Sequence, residues 1–202
     1  MVTVTLRAPD AFIFHTSRCR STLLARLLGT LPGAVVVNEA PVVDEALRTR
    51  RADEVRAVVG ALAPPGTRRL FVKLDCWAAL DADVVRAAFP DTPFVVVRRD
   101  RADVLASQLR QPSLATVPGL LDLGVDPALP REEYCARALD VIFEAIAGVS
   151  GIAVDYRELP GAIDRVLDAL GIPEGERDHG ALERVAGEDA KRPGLPYERL
   201  AC

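Results

Sequence analysis

Short apolar runs alternate with amphipathic segments along the chain, and this alternation constrains the fold more than any other feature. The apolar runs, each of which predicts a buried strand, are Phe12–Phe14, Val35–Val37, Leu70–Leu74, Phe94–Val97 and Ile152–Val154. Helical patterns occupy residues 20–30, 42–62 with a break, 81–88, 101–110, 131–147, 160–170 and 176–186. This order predicts an α/β protein with three layers, in which helices cover both faces of a parallel sheet of about five strands.

The chain is long enough for one such domain, and no feature of the sequence divides it. Its 202 residues are 50% hydrophobic and 27% charged, which suits a single α/β domain over residues 1–202. Residues 63–67 predict a turn, since they read Ala-Pro-Pro-Gly-Thr. The proline-rich segment 111–130 fits no helix or strand, and a loop of that length in a compact domain is usually functional or mobile.

Composition excludes several classes of protein. The net charge of −4 argues against a nucleic-acid binder, whose affinity depends on neutralising phosphates. No apolar run approaches the roughly 20 residues of a membrane span, and residues 1–7 lack the layout of a signal peptide. We therefore expect a cytoplasmic protein with no membrane partner, of undetermined oligomeric state. The four cysteines have no Cys-x-x-Cys spacing and no histidine at metal-ligand spacing, which favours reduced thiols and no metal site.

A turn rich in hydroxyls and arginines joins the first predicted strand to the first predicted helix. It contains Ser17, Arg18, Cys19, Arg20, Ser21 and Thr22. Free N–H groups and the positive end of the helix dipole attract anions at such a helix start, and the two arginines add charge. The turn is therefore a candidate phosphate site, and the alternative is an ordinary helix N-cap with two solvated arginines. It does not contain the G-x-x-x-x-G-K-[ST] pattern of nucleoside-triphosphate loops.

Further polar residues follow the other predicted strands, at the edge where parallel sheets bind ligands. They are Asn38 and Glu39 after the second strand, Lys73 and Asp75 after the third, and Arg98, Arg99, Asp100 and, one helix later, Ser107 after the fourth. The cations among them are Lys73, Arg98 and Arg99. Together with Arg18 and Arg20 they predict an anion at this edge, because desolvated like charges repel unless an anion lies between them. The alternative is a structural ion network in which Glu39, Asp75 and Asp100 neutralise the cations.

Two of these segments resemble the motifs of sulfotransferases that use 3′-phosphoadenosine-5′-phosphosulfate (PAPS), a P-loop-like α/β family. Residues 17–24, Ser-Arg-Cys-Arg-Ser-Thr-Leu-Leu, are similar to P-[KR]-S-G-[ST]-T-x-L, which wraps the 5′-phosphosulfate in that family. The stretch from Arg99 to Ser107 is similar to the segment whose arginine and serine hold the 3′-phosphate. Weaker similarities are Asp155–Leu159, which resembles Y-E-D-L, and the Leu-Gly-Ile-Pro ending at residue 173, so that the resemblance spans residues 11–173.

The resemblance implies a three-layer P-loop-like fold, PAPS as cofactor and adenosine 3′,5′-bisphosphate as product. The sequence departs from the family pattern at three places. Arg20 stands at the glycine of the first motif, and Asp75 stands at the histidine that is catalytic in many members. The glycine-rich C-terminal clamp is reduced at most to residues 191–194. Histidine-dependent chemistry at position 75 is therefore excluded, whereas Lys73 matches the family's lysine.

The resemblance further implies in-line transfer of a sulfuryl group to a hydroxyl of a small-molecule acceptor. Arg18 and the loop amides would contact the oxygens, with Lys73 available as charge builds on the leaving group. Glu39 is the first choice of base, since Asn-Glu-Ala-Pro resembles a stretch of bacterial members with a glutamate there, provided that burial raises its pKa. Asp75 is the second choice. The alternative for Glu39 is an acid that neutralises Arg18 or Arg20.

The acceptor pocket is the part that the sequence determines least. We expect segment 111–130 and the region after Asn38 to shape it, and their few aromatic residues favour a polar or natural-product alcohol over a planar phenol. Trp77 suits either this pocket or the core, and His15 is more typical of a packed residue than of a catalytic one. Two other functions stay open: a non-catalytic nucleotide-binding protein, and a P-loop-type small-molecule kinase, for which the turn lacks the lysine and the magnesium carboxylate.

Overall fold

A sheet of five parallel strands forms the middle of the protein. The structure, a computed structural model, describes residues 7–189 and 192–196. The strands of the sheet are β1 (Ala11–His15), β2 (Ala34–Asn38), β3 (Arg69–Lys73), β4 (Phe94–Arg98) and β5 (Ile152–Asp155). They pair in the order β2-β3-β1-β4-β5, and every pairing is parallel. The predicted α/β class and its five-stranded parallel sheet are confirmed.

Helices cover both faces of this sheet. They are α1 (Ser21–Leu28), α2 (Pro41–Arg48), α3 (Ala52–Ala61), α4 (Ala82–Ala88), α5 (Arg101–Arg110), α6 (Arg131–Ala147), α7 (Ile163–Ala169) and α8 (His179–Gly187). Short 3₁₀ turns lie at Cys76–Asp81, Leu114–Thr116, Tyr156–Glu158 and Glu174–Glu176. A small antiparallel pair, β6 (Glu188–Asp189) and β7 (Arg192–Pro196), follows α8.

Two hydrophobic cores, one on each side of the sheet, make the three layers. Phe12 and Phe14 of β1 point to the core formed with α2, α3, α4 and α6. Ala11 and Ile13, which alternate with them, point to the core formed with α1, α7 and α8. Side chains alternate between the faces of a strand, so a strand buried on both faces reads as a continuous apolar run. This is why the apolar runs in the sequence coincide with the strands.

The register of the strands brings the candidate residues to one edge. Ile13 pairs with Lys73, and His15 pairs with Val97. Asn38 pairs with Lys73, so β2 also ends at this edge. The segments that follow β1, β2, β3 and β4 therefore leave the sheet side by side, as expected for the ligand-binding edge of a parallel sheet.

The structure differs from the sequence-based expectation in a few elements. The 42–62 pattern forms two helices, α2 and α3, and α4 is preceded by the 3₁₀ turn Cys76–Asp81. Segment 111–130 contains one 3₁₀ turn, Leu114–Thr116, and no longer element. Of the expected C-terminal clamp, Lys191 lies outside the described residues, while residues 192–194 lie in β7, which the sequence analysis did not predict.

Within the part of the chain that the structure describes, no helix has the length and apolar character needed to cross a membrane.

Candidate active site

The turn between β1 and α1 has a conformation that ordinary side chains rarely adopt. Ser17, Arg18 and Arg20 have positive φ angles of 65°, 48° and 63°. Such left-handed residues cost free energy unless they are glycine, and they cluster at ligand sites. Left-handed and right-handed residues in succession turn backbone N–H groups toward a common centre, which is how anion-binding nests form.

Arg20, which stands at the glycine of the motif that the turn resembles, has a left-handed backbone of the kind that favours glycine. With φ 63° and ψ 18°, it is the residue that precedes α1, and it provides no side-chain cap. Its Nη1 donates to the carbonyl oxygen of Leu159 at 2.8 Å. The guanidinium is thus directed toward the segment after β5, so the backbone conformation of the turn does not depend on a glycine at this position.

Several N–H groups of the turn are available to a ligand. Among the described residues, the backbone N–H groups of Arg18, Cys19 and Thr22 donate no hydrogen bond. Helix α1 begins at Ser21, as the sequence predicted, and has no acidic residue in its first turn. The positive end of its dipole therefore meets no carboxylate of its own, which favours an anion at this position.

Arg99 joins the two motifs that the sequence analysis paired. Its Nη1 donates to the carbonyl oxygen of Arg18 at 2.9 Å, and its backbone N–H donates to Thr16 Oγ1 at 3.1 Å. Its guanidinium lies over the ring of Tyr156, 4.5 Å from the centroid. Its Nε is buried and makes no hydrogen bond with any described residue, although Asp103 Oδ2 lies 3.7 Å away. The charged group therefore keeps a donor unused beside the turn.

The Arg18 side chain extends from the turn to segment 111–130. It donates to the side chain and the carbonyl oxygen of Gln111 and to the carbonyl oxygen of Pro112, the last at 3.4 Å. Burial lowers the pKa of Arg18 below its ordinary value. Its Nε is buried and makes no hydrogen bond with any described residue.

Gln108 ties the same segment to the turn, a role that the sequence analysis did not assign. It is 1% exposed. Its Nε2 donates to Ser17 Oγ at 2.9 Å and to Ser113 Oγ at 2.8 Å, and its Oε1 accepts from Ser113 N–H and Thr116 Oγ1. The sequence could have indicated Gln108 as a candidate, because it directly follows Ser107 and lies on the inner side of α5.

His15 is buried next to the turn, and Cys19 is buried within it. The N–H of Ser17 donates to His15 Nδ1 at 3.0 Å, so the neutral ring carries its proton on Nε2. Burial lowers the pKa of His15, but Cys19 and Glu39 raise it, with a net upward shift. Burial raises the pKa of Cys19, but His15 and Ser21 lower it, with a net downward shift. Protonation at Nδ1 would break the bond from Ser17, so the turn itself accommodates the neutral ring.

Glu39 is bound to a buried cation. Its Oε1 accepts from Lys73 Nζ, which belongs to a side chain that is 2% exposed, and lies 3.3 Å from His15 Nε2. Burial raises the pKa of Glu39, but His15 and Lys73 outweigh it and lower the pKa to about 2. The condition under which Glu39 could act as base, a pKa raised by burial toward working pH, is therefore not met. The cation that neutralises Glu39 is Lys73, whereas the alternative drawn from the sequence named Arg18 or Arg20.

Asp75, unlike Glu39, has a pKa near neutral pH. Burial raises the pKa of Asp75 to about 7, with further contributions from the charges of Asp44 and Glu39. The two aspartates share a side-chain hydrogen bond, and Trp77 Nε1 donates to Asp44 Oδ2 at 3.2 Å. Burial also raises the pKa of Asp44. Two adjacent carboxyl groups resist simultaneous ionisation, so the pair retains a proton near neutral pH.

Two adjoining cavities open beside these carboxyl groups. The inner cavity, of about 130 Å³, is lined by residues that include His15, Ser17, Asp75 and Trp77. The outer cleft, of about 430 Å³, shares Glu39, Asp75, Trp77 and Leu114 with it and extends between α2 and segment 111–130. Trp77 lines the cleft and also packs against the core, so its expected place in the core is confirmed, while its place in an acceptor pocket stays a prediction. Segment 111–130 and the region after Asn38 do border this cleft.

Not every predicted residue lies at the site. Arg98 was expected among the converging cations, and this is wrong: its Nη2 donates to the carbonyl oxygen of Ile146 at 3.2 Å. Arg98 is the last residue of β4, so its side chain and that of Arg99 leave on opposite sides. Asp100 caps α5 by accepting from two backbone N–H groups. Ser107, in contrast, is half-buried on α5 next to Gln108, and its hydroxyl makes no hydrogen bond with a described residue, so it stays a candidate.

The residues present fit a phosphate-bearing cofactor such as PAPS. The turn offers unused N–H groups, Arg99 offers an unused buried donor, and Arg20 preserves the glycine-like backbone. These features define the chain as a three-layer α/β protein with a candidate anion-binding turn at the carboxyl edge of its sheet.

Comparison with solved structures agrees with this class. A crystal structure of a sulfotransferase from Alicyclobacillus acidocaldarius matches with a TM-score of 0.53 and 15% sequence identity, covering 85% of each chain. The match shows that the two proteins share a fold. No family model matches the sequence. No curated protein matches it either.

Proposed function

We propose that the protein is a sulfotransferase that transfers a sulfuryl group from PAPS to a hydroxyl of a small molecule. The observation that carries this proposal is the backbone of Arg20. It adopts the glycine-like conformation of the anion turn while its side chain is bonded to Leu159. The fold shared with a sulfotransferase supports the proposal.

The residues that would hold the cofactor form two groups. The turn supplies backbone N–H groups and side chains for the 5′-phosphosulfate, from Ser17, Arg18, Cys19, Arg20, Ser21 and Thr22. Arg99 and Ser107 would hold the 3′-phosphate, because the guanidinium of Arg99 lies against the turn and keeps Nε unbonded. PAPS supplies the activated sulfuryl group and the phosphate that leaves.

Asp75 is the base in this proposal, and Glu39 is not. A base must accept a proton at working pH, and efficiency is highest when its pKa lies near that pH. The pKa of Asp75, about 7, meets this condition, whereas that of Glu39, about 2, does not. Asp75 also lines both cavities, so it borders the inner cavity in which the acceptor hydroxyl would lie. Asp75 would accept the proton that the acceptor hydroxyl loses.

Lys73 and Arg18 supply positive charge in this proposal. Glu39 holds the Lys73 ammonium at the edge of the sheet, and a cation fixed before the reaction stabilises developing negative charge without reorganisation. Arg18, bonded to segment 111–130, closes one side of the turn. Their role is electrostatic and positional, as in other transfers between anionic groups.

The test is a calorimetric titration with adenosine 3′,5′-bisphosphate, in parallel with ATP and magnesium. We expect micromolar binding of the bisphosphate to the wild type and at least about tenfold weaker binding to Arg99→Ala, because a charge-assisted hydrogen bond is lost. Arg98→Ala is the matched control, since the Arg98 side chain is directed to Ile146. Binding of ATP with magnesium in place of the bisphosphate would indicate a kinase. Bisphosphate binding without transfer from PAPS to any alcohol would indicate a non-catalytic nucleotide-binding protein.

A further inference from the structure

The outer cleft has an acidic wall and an apolar wall. Asp44 and Glu45 of α2 lie on the acidic wall, next to Asp75. Leu114 and Leu120 of segment 111–130 lie on the apolar wall. A ligand that matches both walls must combine positive charge with an apolar body.

The charges of the cleft do not cancel within it. Glu39 is paired with Lys73. Asp44 and Asp75 form no ion pair with any described residue. Arg48, one turn after Glu45 on α2, also lines the cleft and offsets one negative charge, and it acts on Asp44 through its charge without an ion pair. Asp44, Glu45 and Asp75 together still outnumber this one cation. Without a cation bound beside them, the Asp44 and Asp75 carboxyl groups therefore retain a proton. A cationic ligand would allow both groups to ionise.

The apolar wall is unusually exposed for this protein. Leu114 is 60% exposed and Leu120 is 51% exposed. Both belong to a segment whose start is fixed by Gln108 through Ser113 and Thr116. Exposed leucines on a segment held in place beside a cleft are typical of a surface that contacts a ligand.

The inner cavity indicates where the ligand places an oxygen. His15 is 4% exposed, lines this cavity, and has no hydrogen-bond partner for Nε2 among the described residues. Glu39 Oε1 lies 3.3 Å from this Nε2, but it is not aligned with the N–H and is already bonded to Lys73. Since Ser17 N–H occupies Nδ1, Nε2 carries the proton and can donate to a ligand oxygen. This unpartnered donor is independent of the acidic wall, and Asp75 lines the same cavity.

We propose that the acceptor is an alcohol that carries a protonated amine on an apolar body. Its hydroxyl lies in the inner cavity beside His15 and Asp75, its apolar body lies against Leu114 and Leu120, and its ammonium group lies against Asp44 and Glu45. The role of this alcohol as an acceptor rests on the proposed sulfotransferase function, but its binding preference does not. The raised pKa of Asp75 supports the assignment, because an ammonium group at Asp44 would favour loss of the proton from Asp75.

The test compares three ligands that differ only at one end: 8-amino-1-octanol, 1-octanol and 8-hydroxyoctanoate. Binding to the full chain is measured by ligand-observed NMR, with and without saturating adenosine 3′,5′-bisphosphate. We expect the amino alcohol to bind about tenfold more tightly than octanol, and the hydroxy acid more weakly than either. In Asp44→Asn/Glu45→Gln, the preference for the amino alcohol falls to about threefold or less. Glu183→Gln, an exposed acid on α8, keeps the full preference.

Other results overturn the inference. Octanol or the hydroxy acid binding as tightly as the amino alcohol would contradict it, as would a preference that survives the double substitution. These outcomes are separate from failure of the proposed function. Bisphosphate binding without an amino-alcohol preference overturns only the acceptor class. An amino-alcohol preference without bisphosphate binding overturns the sulfotransferase proposal and leaves the cationic ligand in place.

Discussion

Arg20 donates to the carbonyl oxygen of Leu159 at 2.8 Å, which links two segments 139 residues apart in the sequence. The first is the turn after β1, and the second is the segment after β5 whose Tyr156 lies under Arg99. The bond directs the side chain of Arg20 to Leu159, while its backbone stays left-handed. A left-handed arginine is thus held in place by a contact with a distant segment.

Replacement of Arg20 separates these two effects. Arg20→Ala loses the bond to Leu159 and keeps the left-handed cost of a side chain, so we expect the free energy of unfolding to fall by about 1 kcal/mol. Arg20→Gly loses the same bond but removes the left-handed cost, so it should be about 1 kcal/mol more stable than the alanine variant. Urea unfolding at neutral pH measures both. Equal stabilities of the two variants would contradict the account.

Glu39 should stabilise the folded protein over a defined range of pH. Its pKa is lowered from 4.5 to about 2, so the folded state binds this proton more weakly than the unfolded state. The stabilisation is fully present above pH 4.5 and is lost as the pH falls toward 2. Glu39→Gln leaves Lys73 buried without its carboxylate, and we expect a loss of about 2 kcal/mol at pH 7, discounted for the half-exposed position of Glu39.

The pH dependence of the same variant tests the ion pair between Glu39 and Lys73. Its unfolding free energy should lack the decline between pH 4.5 and 2 that the wild type shows in acid-unfolding curves. Glu183→Gln on α8 is the control, since Glu183 is exposed and forms no ion pair with a described residue. If Glu39→Gln proves as stable as the wild type at pH 7, the ion pair with Lys73 does not contribute as described.

Asp75→Asn should lower activity and raise stability. Loss of a general base lowers kcat by about 10²–10⁴, with little change in bisphosphate affinity. The pKa of Asp75 is raised from 3.8 to about 7, so ionisation of this carboxyl costs folding free energy as pH rises through that range. At pH 8 the variant should therefore be more stable than the wild type, by about 1–2 kcal/mol after allowance for solvent screening. Retained turnover in Asp75→Asn would remove Asp75 from the role of base.

The sheet could be predicted from the sequence because its signal is local. Strands such as Val95–Val97 are buried on both faces and read as unbroken apolar runs. No apolar run predicts β6 and β7, because these strands are short and contain charged residues and prolines. The opposite directions of the Arg98 and Arg99 side chains at the end of β4 could have been predicted, since side chains alternate between the two faces of a strand.

The different pKa values of Glu39 and Asp75 could not be predicted from the sequence because they depend on residues distant in the sequence. The pKa of Glu39 is lowered by Lys73 and His15, which lie on two other strands. The pKa of Asp75 is raised by burial and by Asp44, which lies on α2. The sequence identified both carboxyl groups as candidates, but only packing brings Lys73 to one and Asp44 to the other.

The pH dependence of transfer should report the Asp44 and Asp75 pair. With a neutral alcohol as acceptor, kcat/KM should rise with pH through about 7, as Asp75 loses its proton. The groups that act on Asp75 are Asp44, Glu39 and His15, and the first two raise its pKa while His15 lowers it. In Asp44→Asn the acidic limb should move to lower pH, because one repelling charge is gone. An unmoved limb would mean that the titrating group is not Asp75.

Gln108 should control the order of segment 111–130. Its side chain is buried and bridges Ser17 in the turn to Ser113 and Thr116 in the segment. Gln108→Met keeps the volume but leaves these partners unsatisfied, so we expect a loss of about 2 kcal/mol in unfolding free energy. Amide hydrogen exchange in residues 113–117 should become faster than in the central strands, and KM for the acceptor should rise while bisphosphate affinity changes less.

The comparison variant for Gln108→Met is Gln111→Ala. Gln111 lies in segment 111–130, on the surface of the protein. Gln111 is exposed, and its side chain bonds only to Arg18 among the described residues. Its loss should therefore leave the exchange rates of residues 113–117 close to those of the wild type, because Gln108 still holds the segment. Faster exchange throughout the sheet in Gln108→Met, with no difference between segment and strands, would show that Gln108 contributes to global stability instead of holding this wall of the cleft.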